Sequence, residues 1–304
     1  MRNIAYTATS SLEGLKKAGK GLHRMVVDEH GVASDNPKHL AYHGNKEDLK
    51  LAYNEYDQHT NPCRLEGIVP LPLSASHIVG LKGLYDRKRP FIQSLWNEIA
   101  YETGEYIMCP LCGQKVVADL DHYIPRSKMP EYSVHLLNLI PTCHECNENK
   151  GELWLGVDKK RLIFNAYFDN LGDIGELISP KIIIDADSVY PRIELSLNEV
   201  AIASSGEVGR LVASTYNSIK SIREQWKFKA SSTLKIQIRR IISSVNVRKR
   251  SGKYTEGDWG FERAVMNENI LLLSSHEFIE RIVYESMLDS DEFNVWLVDQ
   301  LNKI

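Results

Sequence analysis

Four of the five cysteines in this sequence form two Cys-x-x-Cys pairs, Cys109 with Cys112 and Cys143 with Cys146. Four thiolates delivered by two tight turns match the tetrahedral geometry of zinc, and such a closed site leaves no open position for a substrate water. The spacing therefore predicts a structural Zn²⁺ site. Since only Cys63 is left over, the cysteines favour a metal site in a reducing compartment over a disulfide framework.

The segment enclosed by these pairs, together with the residue after the last cysteine, carries groups suited to phosphodiester hydrolysis. This reaction needs a base for the attacking water and a hard divalent cation for the charge on the phosphoryl and departing oxygens. His122 suits the base because an ordinary imidazole is largely neutral at cellular pH. Asp121 and Asn147 offer the oxygen ligands that Mg²⁺ and Mn²⁺ prefer. We therefore expect a one-metal catalytic site.

These residues resemble the motifs of the HNH endonuclease family, in the variant whose ββα-metal core is held by a four-cysteine zinc site. The resemblance implies that Asp121 and His122 are the acidic residue and the base of the first motif, and that Asn138 orients this histidine. The third motif residue is Asn147 where many relatives have histidine, so the chain is an HNN variant. This change favours Mg²⁺ or Mn²⁺ over a nickel or zinc catalytic site. Two further residues of the unit are candidates for holding phosphates, Arg126 and Lys150.

Apolar runs predict a β-β-α order around these groups, with strands at 116–120 and 136–140 and a helix from Cys146 through Leu155. Adjacent residues of a strand point to opposite faces, so Asp121 and His122 can share a site only if the strand ends there. Pro125 favours such an end because proline cannot extend a central ladder. The resulting fold class is α+β, a mainly helical protein with a central ββα-metal unit and a small β element after it.

The sequence predicts that the chain has three parts. These are a mainly helical region at 1–104, the nuclease unit at 105–160 and a C-terminal region at 161–304. Asn36-Pro37 begins a helix with a break at Gly44, after a loosely structured lead-in that contains one short helix. Strands are expected at 181–185 and 192–197, then two amphipathic helices, one ending near Trp226 and one starting near Leu234, and a polar break at 248–260. The run Gly14 to Gly21 nearly matches a phosphate-binding P-loop, but it lacks the final hydroxyl residue and a preceding strand, so we reject a nucleoside triphosphate site of that type.

Charge is unevenly distributed along the chain. The protein has a formal net charge of −3, yet the segment from Lys220 to Lys253 carries eleven basic residues and one acidic residue. A concentrated basic segment attracts a polyanion, although a solvated helix face has the same composition. The candidate nucleic-acid contacts in this segment are Lys227, Lys235, Arg239 and Arg240.

The leading hypothesis is a metal-dependent endonuclease that cleaves DNA, with RNA as an open alternative, in phage defence or in restriction of modified DNA. By analogy with defence nucleases, the helical flanks are a docking surface for a regulatory ATPase subunit. The competing hypothesis is a zinc-knuckle module that binds nucleic acid without catalysis, which has no use for Asp121, His122 and Asn147 together. A zinc-dependent base deaminase is disfavoured because Met108, not proline, precedes Cys109. Neither a signal sequence nor a membrane span is evident, so we expect a cytoplasmic protein.

Overall fold

The computed structural model describes residues 1–102, 105–185, 188–253, 259–274 and 277–303. These residues divide into two compact units. The first unit comprises 2–111 and 115–170, and the second comprises 171–304 together with residue 1 and residues 112–114. The N-terminal helices and the central hairpin therefore belong to one unit. No described helix has both the length and the apolar composition that crossing a membrane requires.

The first unit begins with five helices and two short antiparallel hairpins. The helices are α1 (Ser11–Gly19), α2 (Pro37–Gly44), α3 (Lys46–Gln58), α4 (Ala75–Lys82) and α5 (Pro90–Ile99), and the hairpin strands are β1 (Met25–Val27), β2 (Ala33–Asp35), β3 (Tyr101–Glu102) and β4 (Glu105–Tyr106). The short helix expected in the lead-in before Asn36 is α1, and the lead-in also holds the β1–β2 hairpin, so it is more ordered than the sequence indicated. Helix α2 packs against α4, and α1 packs against α3.

The helix start and break expected near residues 36–44 are confirmed. The side chain of Asn36 accepts a hydrogen bond from the Lys38 backbone N–H, and Pro37 stands in the first turn of α2, where its missing N–H costs nothing. Helix α2 ends at Gly44, and α3 starts two residues later with Leu49, Ala52, Tyr53 and Tyr56 on its buried face. Local capping chemistry was sufficient to locate these ends.

The centre of the first unit is a β-β-α arrangement, as expected, but its boundaries are shifted. Strand β5 (Asp119–His122) pairs antiparallel with β6 (Leu139–Thr142), and α6 (His144–Lys150) follows. The strand predicted at 116–120 begins only at Asp119, and Val116 instead forms an isolated bridge with Met108, on the other side of the first cysteine pair. Residues 136–138 form a 3-10 turn, and α6 ends at Lys150 because Gly151 has a φ of +49°.

In the described residues of the second unit, one hairpin is combined with six helices. Strands β7 (Ile178–Ile183) and β8 (Arg192–Leu197) pair antiparallel, which confirms the expected β element. The helices are α7 (Glu199–Ser204), α8 (Gly206–Ser218), α9 (Lys220–Arg250), α10 (Gly260–Leu272), α11 (Phe278–Asp289) and α12 (Asp291–Asn302). The break between the two amphipathic helices was expected after Trp226 and lies at Ile219 instead. Helix α9 continues through Trp226 because no glycine or proline interrupts it. The expected polar break at 248–260 lies partly outside the described residues.

Candidate active site and metal centre

The four paired cysteines form one buried cluster. One Sγ atom from each of Cys109, Cys112, Cys143 and Cys146 lies within 4.8 Å of the others. A tetrahedral zinc with Zn–S bonds of about 2.3 Å separates its sulfurs by about 3.8 Å, so the cluster fits zinc with small adjustments. Gly113, with a φ of +68°, provides the tight turn after the first pair. The donor set of four thiolates leaves no position for substrate, and the site is structural in kind.

Of the residues expected to be catalytic, all but Asn138 line a cleft of ≈ 710 Å³ in the first unit. His122 and Asp121 come from the end of β5, and Asn147 comes from α6. Strand β5 ends at His122, as the sequence argument required, and the two adjacent side chains border the same cleft. Arg126 lies on its rim, where its guanidinium is 5.8 Å from the centre of the Tyr85 ring.

His122 is held by two contacts. Its Nε2 lies 2.9 Å from the carbonyl oxygen of Ser133, and its ring meets the Tyr85 ring edge-on with a centroid separation of 4.5 Å. Burial lowers the pKa of His122 to about 4, and the Ser133 carbonyl opposes this shift only partly. The imidazole is therefore neutral. A carbonyl oxygen can only accept, so Nε2 carries the ring proton and Nδ1 is left as the basic nitrogen.

Asp121 and Lys150 form a buried ion pair. The Lys150 ammonium lies 3.0 Å from one carboxylate oxygen of Asp121 and donates to the carbonyl oxygen of His122 at 2.8 Å. Burial raises the pKa of the Asp121 carboxyl, and the charge of Lys150 opposes that effect. The structure thus directs Lys150 toward Asp121 inside the protein, not toward the solvent where we expected it to meet phosphates.

Asp119 is a cleft residue that the sequence argument missed. Its carboxylate accepts hydrogen bonds from Asn147 at 3.2 Å and from His144 Nδ1 at 2.9 Å, and Arg87 lies 2.6 Å from its other oxygen. Burial raises the pKa of Asp119, but the bonds from His144 and Asn147 outweigh it and hold the pKa below its ordinary value. The available signal was strand periodicity, because residues 119 and 121 share one face of β5.

Asn138 is fully buried and bonds to the backbone that follows His122. Its side-chain oxygen accepts from the backbone N–H of Ile124 at 2.8 Å, and its amide nitrogen donates to the carbonyls of Ile124 and Tyr132 at 3.1 and 3.2 Å. Its own carbonyl accepts from the N–H of Tyr123 at 2.8 Å. These bonds fix the backbone directly after His122, so any orienting effect on the imidazole passes through the main chain.

One wall of the cleft comes from the N-terminal helical region. Lys82, Gly83, Tyr85 and Arg87, which connect α4 to α5, line the same space as His122 and Asp119. Sequence reasoning assigned no role to this segment, because its approach to β5 depends on the path of the whole chain. The active cleft therefore extends beyond the β-β-α unit.

The four candidate nucleic-acid contacts of the basic segment are exposed on α9, in the second unit. Lys227, Lys235, Arg239 and Arg240 have no carboxylate partner among the described residues. Other basic residues of α9 are engaged within the unit, for example Lys229 with Glu280 and Arg248 with Glu262. These four exposed side chains, the stripe on α9, thus differ from the cations of the same helix that pair with carboxylates, and the Arg239 guanidinium lies 5.7 Å from the centre of the Tyr190 ring.

Comparisons with known proteins support the family resemblance. The model of the family described as HNH endonuclease matches residues 109–153. The chain is similar to protein ea31 of Escherichia phage lambda, with 23% identity over 177 residues, which cover 56% of this chain and 57% of that protein. It is also similar to the Septu protein PtuB of Bacillus thuringiensis, with 29% identity over 63 residues, or 21% of this chain and 24% of that protein. No solved structure matches. The chain thus spans about half of the first relative and a quarter of the second.

Proposed function

Residues 109–153 form an HNH endonuclease domain, and from this premise we propose that the protein is a metal-dependent endonuclease that hydrolyses phosphodiester bonds of DNA. One observation carries the proposal. A neutral, held imidazole and three oxygen-bearing side chains border a single cleft, and these are the groups of His122, Asp119, Asp121 and Asn147. A purely binding zinc module has no need of this combination.

In the proposed reaction His122 is the general base. Its Nδ1 takes a proton from the attacking water, while the water oxygen forms a bond to phosphorus and the bond to the departing alkoxide oxygen breaks. The contact between Nε2 and the Ser133 carbonyl fixes the tautomer in which Nδ1 is unprotonated. Tyr85 limits the rotation of the ring by packing against it edge-on.

The oxygen groups of the cleft suit a hard divalent cation. As the sequence predicted, we propose Asp121 and Asn147 as ligands, and we add Asp119 because its carboxylate lies within hydrogen-bonding distance of Asn147. Two carboxylates and a carboxamide are the donors that Mg²⁺ and Mn²⁺ prefer. When bound, the cation supplies charge stabilisation to the phosphoryl and departing oxygens. It competes with Lys150 for Asp121 and with Arg87 for Asp119.

Two cations that line the cleft are the proposed phosphate contacts. Arg126 and Lys82 line it, and Arg126 is exposed. Lys150, our earlier candidate, is now assigned to holding Asp121, because its side chain is only 1% exposed. We propose that the exposed stripe on α9 adds electrostatic affinity for the nucleic-acid backbone.

The biological setting is also part of the proposal. Similarity to a Septu protein supports a role in phage defence and, by analogy, a regulatory ATPase partner. The similarity covers 63 residues, so it bears on the nuclease unit and leaves the partner to be tested directly. Co-purification of an ATPase with the tagged protein from its native host would support the assignment.

Purified protein incubated with plasmid DNA, or with RNA, tests the proposal. We expect DNA cleavage with Mg²⁺ or Mn²⁺, none without added cation, and loss of cleavage in the His122→Ala variant. His30→Ala is the matched control, since His30 is exposed in the β1–β2 turn. Cleavage that survives His122→Ala unchanged contradicts the assigned base. Binding of nucleic acid without cleavage under any of these metals supports the zinc-knuckle alternative instead.

A further inference from the structure

A second concave site lies in the first unit, outside the HNH match. It is a pocket of ≈ 560 Å³ between α1 on one side and α2 and α3 on the other. Pockets of this size accommodate small-molecule ligands. Its lining residues are Leu12, Leu15, Lys16, Gly19, Lys20, Tyr42, His43, Lys46 and Lys50. None of these residues has a part in the proposed cleavage reaction.

The floor of the pocket is apolar and tightly built. Leu15 and Tyr42 are buried, and Leu12 is half-buried beside them. The Tyr42 ring packs so closely on Gly19 that a Cβ at Gly19 would lie 2.2 Å from a ring carbon. The Tyr42 ring is thus held against the end of α1, and with Leu12 and Leu15 it forms the apolar floor of the pocket.

The rim of the pocket is strongly cationic. Four lysines line it and no carboxylate does. Within the described part of the chain, Lys16, Lys20 and Lys46 have no acidic partner, while Lys50 pairs with Glu47 at 2.7 Å. His43 also stands on the rim, and its pKa is lowered first by partial burial and then by the positive charges of His39 and Lys46. The pocket therefore has a positive potential that only an anionic ligand relieves.

We propose that this pocket binds a nucleotide. A nucleoside phosphate is a small molecule that carries a flat, weakly polar base and two or more negative charges. The base matches the apolar floor of the pocket, and the phosphates match its lysine rim. The two sources with this chemistry are a free nucleoside phosphate and a terminal nucleotide of a nucleic-acid strand. In either case the base lies over Leu12, Leu15 and Tyr42, and the phosphates contact Lys16 and Lys46 at the rim.

The site differs physically from a P-loop, although the near-match from Gly14 to Gly21 overlaps it. Residues 14–19 of the near-match are helical in α1, so their backbone N–H groups donate to carbonyls one turn earlier and form no cradle for phosphate. The lysine side chains supply the charge instead. We therefore expect binding that does not require Mg²⁺ and that weakens steeply with salt.

Binding is measured with the full-length His122→Ala protein without added divalent cation, so that the result is independent of cleavage. The probes are ATP and AMP by calorimetry and a 5′-phosphorylated oligothymidylate by fluorescence anisotropy. We expect the Lys16→Ala/Lys46→Ala protein to bind at least about fivefold more weakly than its parent. Lys17→Ala is the matched control, because Lys17 lies on the same helix outside the pocket and pairs with Glu13 at 3.1 Å.

The outcomes separate the sources and the alternatives. Pocket-dependent binding of ATP or AMP identifies a free nucleotide as ligand, and pocket-dependent binding of the oligonucleotide alone identifies a strand end. The proposal is overturned if no probe binds, or if the double variant and Lys17→Ala bind equally well. It is also overturned if a polyglutamate peptide displaces each probe as well as unlabelled nucleotide does, since the pocket then recognises charge without a base. Unchanged circular dichroism and zinc content show that the variants are folded.

Discussion

Lys150 and Asp121 form an ion pair inside the first unit, with the ammonium 3.0 Å and 3.1 Å from the two carboxylate oxygens. The same ammonium donates to the carbonyl oxygen of His122. One lysine thereby connects α6 to the end of β5, at the residue proposed as the base. The relationship gives Lys150 a structural role that its position in the sequence did not suggest.

Replacing Lys150 with alanine should destabilise the protein by about 3–5 kcal/mol, because Asp121 would remain as an unpaired buried charge. Lys128→Ala is the control, since Lys128 makes an exposed ion pair with Glu152 at 3.4 Å. This substitution should lower the free energy of unfolding by less than about 1 kcal/mol. Urea unfolding monitored by circular dichroism measures both values. Equal effects of the two substitutions would contradict the assignment.

Asp119→Asn and Asp121→Asn should each reduce cleavage by at least about 100-fold if both carboxylates hold the catalytic cation. Each variant should also need more Mn²⁺ for half-maximal cleavage, because a carboxamide binds a hard cation more weakly than a carboxylate. Asp158→Asn, an exposed change outside the cleft, is the control. A normal Mn²⁺ requirement in Asp119→Asn would leave Asp121 and Asn147 as the protein ligands and remove Asp119 from the set.

The cysteine cluster should hold about one zinc ion per chain, measured by elemental analysis of the purified protein. Cys109→Ser and Cys143→Ser should lose this zinc and much of the thermal stability, because binding energy at a structural zinc site is folding energy. Cys63→Ser should retain the metal, since Cys63 lies outside the cluster and accepts a hydrogen bond from Arg161 at 3.1 Å. Zinc-free protein of normal stability would refute the structural assignment.

Stability should fall at acid pH partly through His135. This ring is fully buried between Tyr53 and Tyr56, and burial lowers its pKa although Asp57 lies 3.4 Å from Nε2. The folded protein therefore holds the neutral ring, and the unfolded chain takes up a proton near the ordinary pKa of about 6.5. The contribution of His135 to the free energy of unfolding is complete above that pH. It is lost as pH falls below it, with a slope of at most about 1.4 kcal/mol per pH unit.

Comparing the pH dependence of unfolding in wild-type and His135→Gln proteins isolates this effect. The variant should have a shallower slope below about pH 6.5. His30→Gln should keep the wild-type slope, because His30 is exposed. Parallel curves for wild type and His135→Gln would show that the ring does not contribute.

The exposed stripe on α9 should govern the salt dependence of nucleic-acid binding. Changing Lys235, Arg239 and Arg240 to alanine should reduce the slope of log affinity against log salt by about two to three, if each meets a phosphate. Lys229→Ala is the control, since its ammonium pairs with Glu280 within the unit. If the triple change leaves the slope unaffected, these three side chains are solvated surface residues that do not contact phosphates.

Several features were predictable because they depend on neighbours in the chain. The start of α2 at Asn36-Pro37 follows from capping chemistry, and the end of β5 at His122 follows from strand alternation and from Pro125. The predicted strand boundaries were wrong where a residue pairs outside the hairpin. Val116 is an apolar strand former in sequence, but it pairs with Met108, on the other side of the first cysteine pair, and so falls outside the hairpin.

By itself the sequence determined the kind of site: four thiolates at zinc spacing, a histidine after an acidic residue, and an asparagine directly after the last cysteine. These features depend on residue type and on separations of a few positions. Over such short separations, the local backbone conformation sets the distance between the side chains. Only the tertiary structure decided that Lys150 points inward to Asp121, that Asp119 contacts Asn147, and that Tyr85 packs on His122. Those contacts join residues about thirty positions apart, so they depend on the packing of whole elements.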